Sequence, residues 1–280
     1  MTVITGQNGY VGTALRAWLE KDGYEVRRVG VRGETDENIF ENADVVIHTA
    51  GIVHNKKADD ALYDAVNTAL TKKLALLAKN SGVRHFIFFS TMAVYGMTEG
   101  RIDRQTVPSP KNGYGKSKLA AEKLLLEMQT DDFKVTILRS PMVYGRGCPG
   151  NYALLSGLCK KVHIFPDVKN KRSLIYIGNL CDCVERVIKD GITGIIHPQN
   201  AEYVNTADMC RYIAAYSGKK VFFSRLLGAV VPHLGISVAK KAFGSLYYAD
   251  DTAFLCDRYG LEESIRLTET GSLSGQNDNF

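Results

Sequence analysis

The chain has 280 residues, 45% of them hydrophobic and 23% charged, which is ample for a buried core and more than a typical single domain needs. Its net charge of +5 is small and dispersed, so it suits phosphate-bearing small molecules as readily as nucleic acid, and no nucleic-acid-binding signature accompanies it. No leader-like segment and no uncharged apolar run of about 18 residues occurs, so a soluble cytoplasmic protein without membrane insertion is expected. All six cysteines lie in the second half, and Cys181 and Cys183 are spaced unlike a zinc-site pair, so no metal is expected.

In chain order, the spacing predicts strands over Val3–Thr5, Glu25–Val29, Asp44–Thr49, His85–Ser90 and Lys134–Leu138. Helices are predicted over Ala14–Lys21, Leu62–Asn80 and Tyr114–Gln129, the second carrying apolar residues at helical spacing in Leu70, Leu74, Leu77 and Ala78. Short β-branched runs alternating with amphipathic stretches describe a doubly wound α/β domain with a parallel sheet, over residues 1–148. Beyond Pro149 the pattern loosens around Gly150, Pro166, Gly178, Gly191 and Pro198, which predicts a smaller, partly helical substrate-binding domain over 149–268, some of whose segments return to the first domain. Leu226–Ile236 is strongly apolar but short and broken by Gly228, Pro232 and Gly235, so core packing is expected there rather than membrane contact. Residues 269–280, rich in Ser, Gly and Asn, are expected to form a mobile tail.

The strongest local signal is Thr5-Gly6-Gln7-Asn8-Gly9-Tyr10-Val11-Gly12, between the first strand and the first helix. Glycines there allow a tight turn and close approach of a pyrophosphate, and the helix N-terminus offers unpaired N–H groups to the anion. In many NAD-binding folds an acid about 20 residues further on holds the ribose 2′-hydroxyl. Here Val26-Arg-Arg-Val-Gly30-Val-Arg32 has glycine where that acid is expected, and it supplies arginines that can pair with a 2′-phosphate. The cofactor reading is therefore NAD(P), leaning to NADP through Arg32, against the alternative of arginines on a solvated strand end.

Tyr114 and Lys118 share one face of a predicted helix, where an ammonium can stabilise the phenolate of a proton-exchanging tyrosine. The chain's 14 tyrosines make a Tyr-x-x-x-Lys match by chance easy, as Tyr216 and Lys220 show, but Gly218 breaks that second pair's helix. Phe88-Phe89-Ser90-Thr91 adds a strand end expected to open onto the same cleft, with Thr91 able to bond a sugar hydroxyl or ketone; capping the strand end is the plainer alternative.

With Asp44-Val-Val-Ile-His-Thr-Ala-Gly51, Asn67, Ser90-Thr-Met-Ala-Val-Tyr-Gly96 and Leu138-Arg-Ser-Pro-Met-Val-Tyr-Gly145 in order, the chain resembles the extended short-chain dehydrogenase/reductases that modify nucleotide sugars. The resemblance implies a catalytic triad of Thr91, Tyr114 and Lys118, with Lys118 also on the nicotinamide ribose. It implies that Gly6, Asn8, Gly9, Tyr10, Val11, Gly12, Ala50, Gly51 and Asn67 surround the dinucleotide. Arg172 looks like the family's arginine for the substrate diphosphate, and Asn151 is a weaker substrate contact. Met92 and Ala93 stand where 4,6-dehydratases carry an Asp-Glu pair and cannot transfer protons, which disfavours dehydration. Met142 replaces an asparagine common in relatives, and the chain is short for the family, so the second domain is expected to be trimmed. The branch it most resembles implies 4-keto reduction in surface-polysaccharide precursor synthesis. The alternatives are a UDP-sugar 4-epimerase that retains NAD and a non-catalytic NADP sensor. The resemblance implies a nucleotide sugar, UDP-linked, as the expected partner, and a homodimer.

Overall fold

The computed structural model describes residues 1–31, 33, 36–52, 59–231 and 242–271. The chain opens with β1 (Thr2–Thr5), α1 (Tyr10–Lys21), β2 (Val26–Val29) and β3 (Val45–His48). A continuous helical rod follows: α2 (Asp60–Tyr63), a π-helical turn (Asp64–Ala69) and α3 (Leu70–Asn80). Then come β4 (His85–Thr91), a 3₁₀ turn (Met92–Tyr95), β5 (Gly100–Ile102), α4 (Gly113–Met128), β6 (Lys134–Ser140), β7 (Met142–Tyr144), α5 (Asn151–Cys159), β8 (Ile164–Pro166), β9 (Leu174–Tyr176), α6 (Ile177–Lys189) and β10 (Gly194–Asn200). The last elements are α7 (Thr206–Tyr216), β11 (Phe222–Ser224), α8 (Arg225–Val230), β12 (Leu246–Tyr248), β13 (Ala253–Cys256) and α9 (Leu261–Thr270).

The central sheet has seven strands in the order β13-β10-β6-β4-β3-β1-β2, and the pairings from β10 to β2 are parallel. Strands buried on both faces read as unbroken apolar runs, as in His85-Phe-Ile-Phe-Phe, where residues 85–90 are all buried. Val3, Val46, Phe86, Phe88 and Ile137 meet Leu74, Ala78, Ala121 and Leu125 from α3 and α4 in one core. The chain passes from β1 to β2 on one side and back across to β3 on the other. This reversal puts a topological switch point at the carboxyl ends of β1 and β3, where ligands of open α/β sheets bind.

The chain divides into two compact units. The first comprises Met1–Gly96, Thr106–Ser140 and Cys181–His197; the second comprises Met97–Gln105, Pro141–Leu180 and Pro198–Phe280. The second unit is built on three two-stranded ladders, β11-β8, β12-β5 and β7-β9, all parallel, and a disulfide joins Cys159 of α5 to Cys210 of α7. Its final helix runs through Thr270, so Glu269, expected at the head of a tail, instead accepts hydrogen bonds from Tyr152 and Ser156 at 2.7 and 2.9 Å; 272–280 lie outside the described residues.

Core packing of the apolar stretch from Leu226 does not occur in its described part. The helix α8 buries none of its residues, and Leu226 is 75% exposed. The reason lies in Gly228, whose α-carbon faces the backbone of Asp167 so closely that a Cβ would sit 2.2 Å from its carbonyl oxygen. The small residue turns inward and the leucines turn out. Residues 232–236 lie outside the described residues.

Candidate active site

The turn after β1 has the features a phosphate needs. Gly6 takes φ +100°, a conformation that favours glycine, and Gly9 caps α1 without any side-chain acceptor. The first turn of α1 carries no acid, so its N–H groups and positive dipole end face outward uncompensated. Gln7, Asn8 and Gly9 are exposed, Tyr10 and Val11 half-buried and Gly12 buried. Gly12 lets Thr49 approach, its hypothetical Cβ lying 3.0 Å from Thr49 Oγ1, and Thr49 in turn donates to the Thr5 carbonyl at 2.6 Å. By contrast, the space at Gly9 is open: a Cβ there would meet no protein atom within 4 Å. This cradle fits a dinucleotide pyrophosphate.

The β3 end supplies Ala50 and Gly51. Asn67, fully buried in the π-helical turn, holds this loop: its Oδ1 accepts from Ile52 N at 2.9 Å, and its Nδ2 donates to Ile52 O and Ser117 Oγ, both at 3.1 Å. The wider π turn is what brings that amide between the loop and α4, a placement common at functional sites. A Cβ on Gly51 would lie 2.9 Å from Asn67 Oδ1 and 3.4 Å from Lys118 Nζ, so glycine is what lets the loop close over the lysine.

Thr91 ends β4 and caps the 3₁₀ turn, accepting from Ala93 N at 3.2 Å. Asn112 caps α4 by accepting from Gly115 N at 2.8 Å, which sets Tyr114 in the first turn and Lys118 one turn further. Thr91 hydrogen-bonds the Tyr114 phenol, which favours the phenolate, but the low-dielectric setting outweighs it and pushes the phenol up to about 12. Lys118, buried, donates to the Phe89 carbonyl at 2.8 Å and lies 4.5 Å from the Phe88 ring centroid; burial pulls it down to about 8. The expectation that Lys118 lowers the Tyr114 pKa is thus not met in this state, because the ammonium is turned to Phe89 and Phe88 and desolvation dominates at the phenol. The first unit therefore brings Thr91, Tyr114 and Lys118 together with Gly51 and Asn67.

The two substrate candidates belong to the second unit. Arg172 is half-buried, donates to the Gly244 carbonyl at 2.8 Å and, among the described residues, makes no ion pair with a carboxylate. Asn151 is exposed and opens α5 behind Gly150, which takes φ +91°. Arg32 lies outside the described residues. Its neighbours Arg27 and Arg28 are engaged by protein groups: Arg27 donates to Ile39 O, and Arg28 to Gly6 O and Thr13 Oγ1 at 2.7 and 2.9 Å.

Sequence reasoning missed a buried polar network behind the triad. Arg139 on β6 pairs with Glu122 on α4 at 2.7 Å and donates to Tyr95 OH at 2.8 Å; Tyr95 reaches His197 Nε2 at 2.7 Å, and Ser90 donates to Glu122. The available signal was the position of Glu122 one helical turn past Lys118, on the face that carries the triad.

Comparison with known proteins agrees with this architecture. Residues 2–197 match the model of the NAD dependent epimerase/dehydratase family. The UDP-glucose 4-epimerase of Vibrio cholerae is 34% identical over 76% of this chain and 74% of its own length. An N-acetyl-alpha-D-glucosaminyl-diphospho-ditrans,octacis-undecaprenol 4-epimerase of Escherichia coli O157:H7 is 28% identical, over 69% of this chain and 64% of its own. Among solved structures, UDP-glucuronic acid 4-epimerase from Bacillus cereus, in complex with NAD, shares the fold with TM-score 0.74 at 20% identity, covering 96% of this chain and 97% of that one. The dTDP-4-dehydrorhamnose reductase of Bacillus anthracis, in complex with NADP, gives 0.73 at 19% identity, covering 97% and 99%. The chain belongs to the NAD-dependent epimerase/dehydratase family. It is an enzyme of the nucleotide-sugar epimerase and reductase kind, built to use a nicotinamide cofactor.

Proposed function

We propose that the chain exchanges a hydride and a proton at C4 of a nucleotide-linked sugar, with Thr91, Tyr114 and Lys118 as its catalytic residues. The observation that carries this reading is the hydrogen bond between Thr91 and Tyr114 on the helix face that also bears Lys118, beside the glycine turn. The nicotinamide cofactor supplies or accepts the hydride when bound. Gly6, Asn8, Gly9, Tyr10, Val11 and Gly12 cradle its pyrophosphate, and Ala50 and Gly51, held by Asn67, form the facing wall. Tyr114 takes the proton from the C4 hydroxyl or returns it to a C4 ketone, Thr91 orients that oxygen, and Lys118 supplies positive charge. Arg172 offers a planar donor fork to the substrate's diphosphate, and Asn151 is a further substrate contact.

The sequence alone leans to reduction of a 4-ketone with NADPH, because Gly30 stands where an acid would bind the ribose. Two observations favour 4-epimerisation instead. Arg27 and Arg28 are committed to protein carbonyls and Thr13, which leaves them poorly placed for a 2′-phosphate. The Vibrio relative, at 34% identity, is a UDP-glucose 4-epimerase, which also favours a UDP-linked substrate. Reduction is the second reading, supported by the missing acid and by a 29% identical dTDP-4-dehydrorhamnose reductase of Mycolicibacterium smegmatis.

Denaturing the purified protein and identifying the released dinucleotide separates the two. Retained NAD, with inversion of a UDP-hexose at C4 without added cofactor, is the expected result. An empty protein that consumes NADPH only with a 4-keto sugar replaces that reading with reduction. Cofactor binding without turnover across a nucleotide-sugar panel identifies a sensor and removes both.

A further inference from the structure

We infer that the face formed by β8, β11 and α8 seats the protein on an anionic lipid surface. The observation is an apolar patch whose leading segments are basic and whose one adjoining acid among the described residues of β8, β11 and α8 and their immediate flanks, Asp167, is paired with Arg211. Ile164 and Phe222 are partners in the β8–β11 ladder and are 54% and 68% exposed, and Leu226, at the start of α8, is 75% exposed. Leu227 and Val230 extend the patch along α8. These are five large apolar side chains within one small substructure, beyond the scattered exposure any surface shows.

The unpaired charges in the segments that lead into it are positive. Because β8 and β11 are parallel and in register, the segments that lead into them arrive at the same end of the ladder, and Phe222 N bonds His163 O there at 2.8 Å. Those segments carry Lys160–Lys161 and Lys219–Lys220, and Arg225 opens α8 at the other end. Lys160 is engaged with Glu269, leaving Lys161, Lys219, Lys220 and Arg225 to set the local potential. Neither 154–165 nor 217–231 contains an aspartate or glutamate.

Charge complementarity selects the occupant. A second copy of the chain, docked by the same face, would set the lysines of one protomer against those of the other, with Asp167 already held by Arg211. Nucleic acid would match the charge but gives aliphatic leucine, isoleucine and valine side chains little to contact. Anionic lipid satisfies both: phosphate headgroups meet the lysines while the apolar side chains enter the acyl boundary. No helix among the described residues is long and apolar enough to cross a membrane, so the association is peripheral.

The test is co-sedimentation of the full chain with vesicles of phosphatidylcholine alone and of phosphatidylcholine mixed with phosphatidylglycerol. Binding to the mixed vesicles only, weakened by salt, is expected. Lys219→Gln with Lys220→Gln should reduce the partition coefficient by roughly 25-fold, at about fivefold per basic residue. Phe222→Ser with Leu226→Ser should reduce it by about tenfold or more. Unchanged circular dichroism and dinucleotide binding establish that the variants are folded. No binding to either vesicle, equal binding to both, or a concentration-dependent dimer dissolved by Phe222→Ser with Leu226→Ser would each overturn the inference.

Discussion

Burial pushes the Tyr114 phenol up to about 12, so in the resting protein it carries its proton, and taking one from a C4 hydroxyl requires positive charge to be brought against the phenol first. Removing its hydroxyl should lower kcat by about 10²–10⁴ while changing KM little, since the lost interaction belongs to proton transfer. Steady-state kinetics of Tyr114→Phe checks this, and unimpaired turnover would remove Tyr114 from the mechanism. Lys118 yields a second expectation. Burial pulls its pKa down to about 8, so the ammonium is present below that value and is lost as pH rises through it. The kcat/KM profile of the free enzyme should therefore fall on the alkaline side near pH 8. Lys118→Arg, where activity survives, should move that limb upward, because a guanidinium keeps its charge. The shared face of Tyr114 and Lys118 was legible in the sequence because a four-residue spacing on a helix fixes it, whereas the roles proposed for them come from the family resemblance. The direction of the Tyr114 shift was not legible, since it depends on how the folded chain desolvates the phenol and where it turns the Lys118 ammonium.

At the scale of elements, the β1–α1 turn separates ligand effects from folding effects. A methyl group at Gly9 meets no protein atom and the backbone there has ordinary φ −76°, so Gly9→Ala should leave the melting temperature within about 2 °C of the parent. The same methyl projects into the proposed pyrophosphate cradle, so NAD or NADPH affinity should drop by at least tenfold in a titration. A loss of stability without loss of affinity would show the cradle is elsewhere. Glu122 behaves in the opposite way. Its carboxylate ties α4 to β6 through Arg139 and to β4 through Ser90 in a fully buried setting. Glu122→Gln strands the Arg139 charge and should cost about 3–5 kcal/mol, read as a melting point lower by roughly 10 °C. The strands and helices of the first unit were readable because periodicity and strand–helix alternation are local properties. The π-helical turn at Asn67 and the Glu122–Arg139 pair were not, because each exists only once distant segments are packed together.

Across the whole molecule, the chain crosses between its two compact units repeatedly, at 96/97, 105/106, 140/141, 180/181 and 197/198. Such crossings leave little trace in a sequence: the second unit's ladders have three-residue strands, too short for a two-residue period to register, and their partners lie far apart in the chain. Fold stability integrates all of it, and two buried histidines of the first unit contribute to its response to acid above the carboxylate range. Thr71 donates to Asn67 O, so its oxygen can only accept from His48 Nε2, and His48 Nδ1 then accepts from Thr5 Oγ1. A second ring proton would require the Thr5 hydroxyl to turn and accept it, and burial holds His48 down to about 3. His85 is similarly placed: Thr136 donates to Ile192 O and accepts from His85 Nε2, and burial takes this ring to about 4. Both residues are neutral in the folded chain at pH values where an unfolded histidine, near 6.5, takes up a proton. The unfolded state therefore binds more protons between about pH 6.5 and 4, and stability is lost as pH falls through that window, with a slope approaching about 2.7 kcal/mol per pH unit when both sites contribute. Urea midpoints measured from pH 8 to 4.5 should stay level above pH 7 and fall below 6, and His85→Gln should roughly halve the slope. A midpoint that holds steady to pH 4.5 would mean that these rings accept protons in the folded state and that the threonine hydroxyls reorient to receive them.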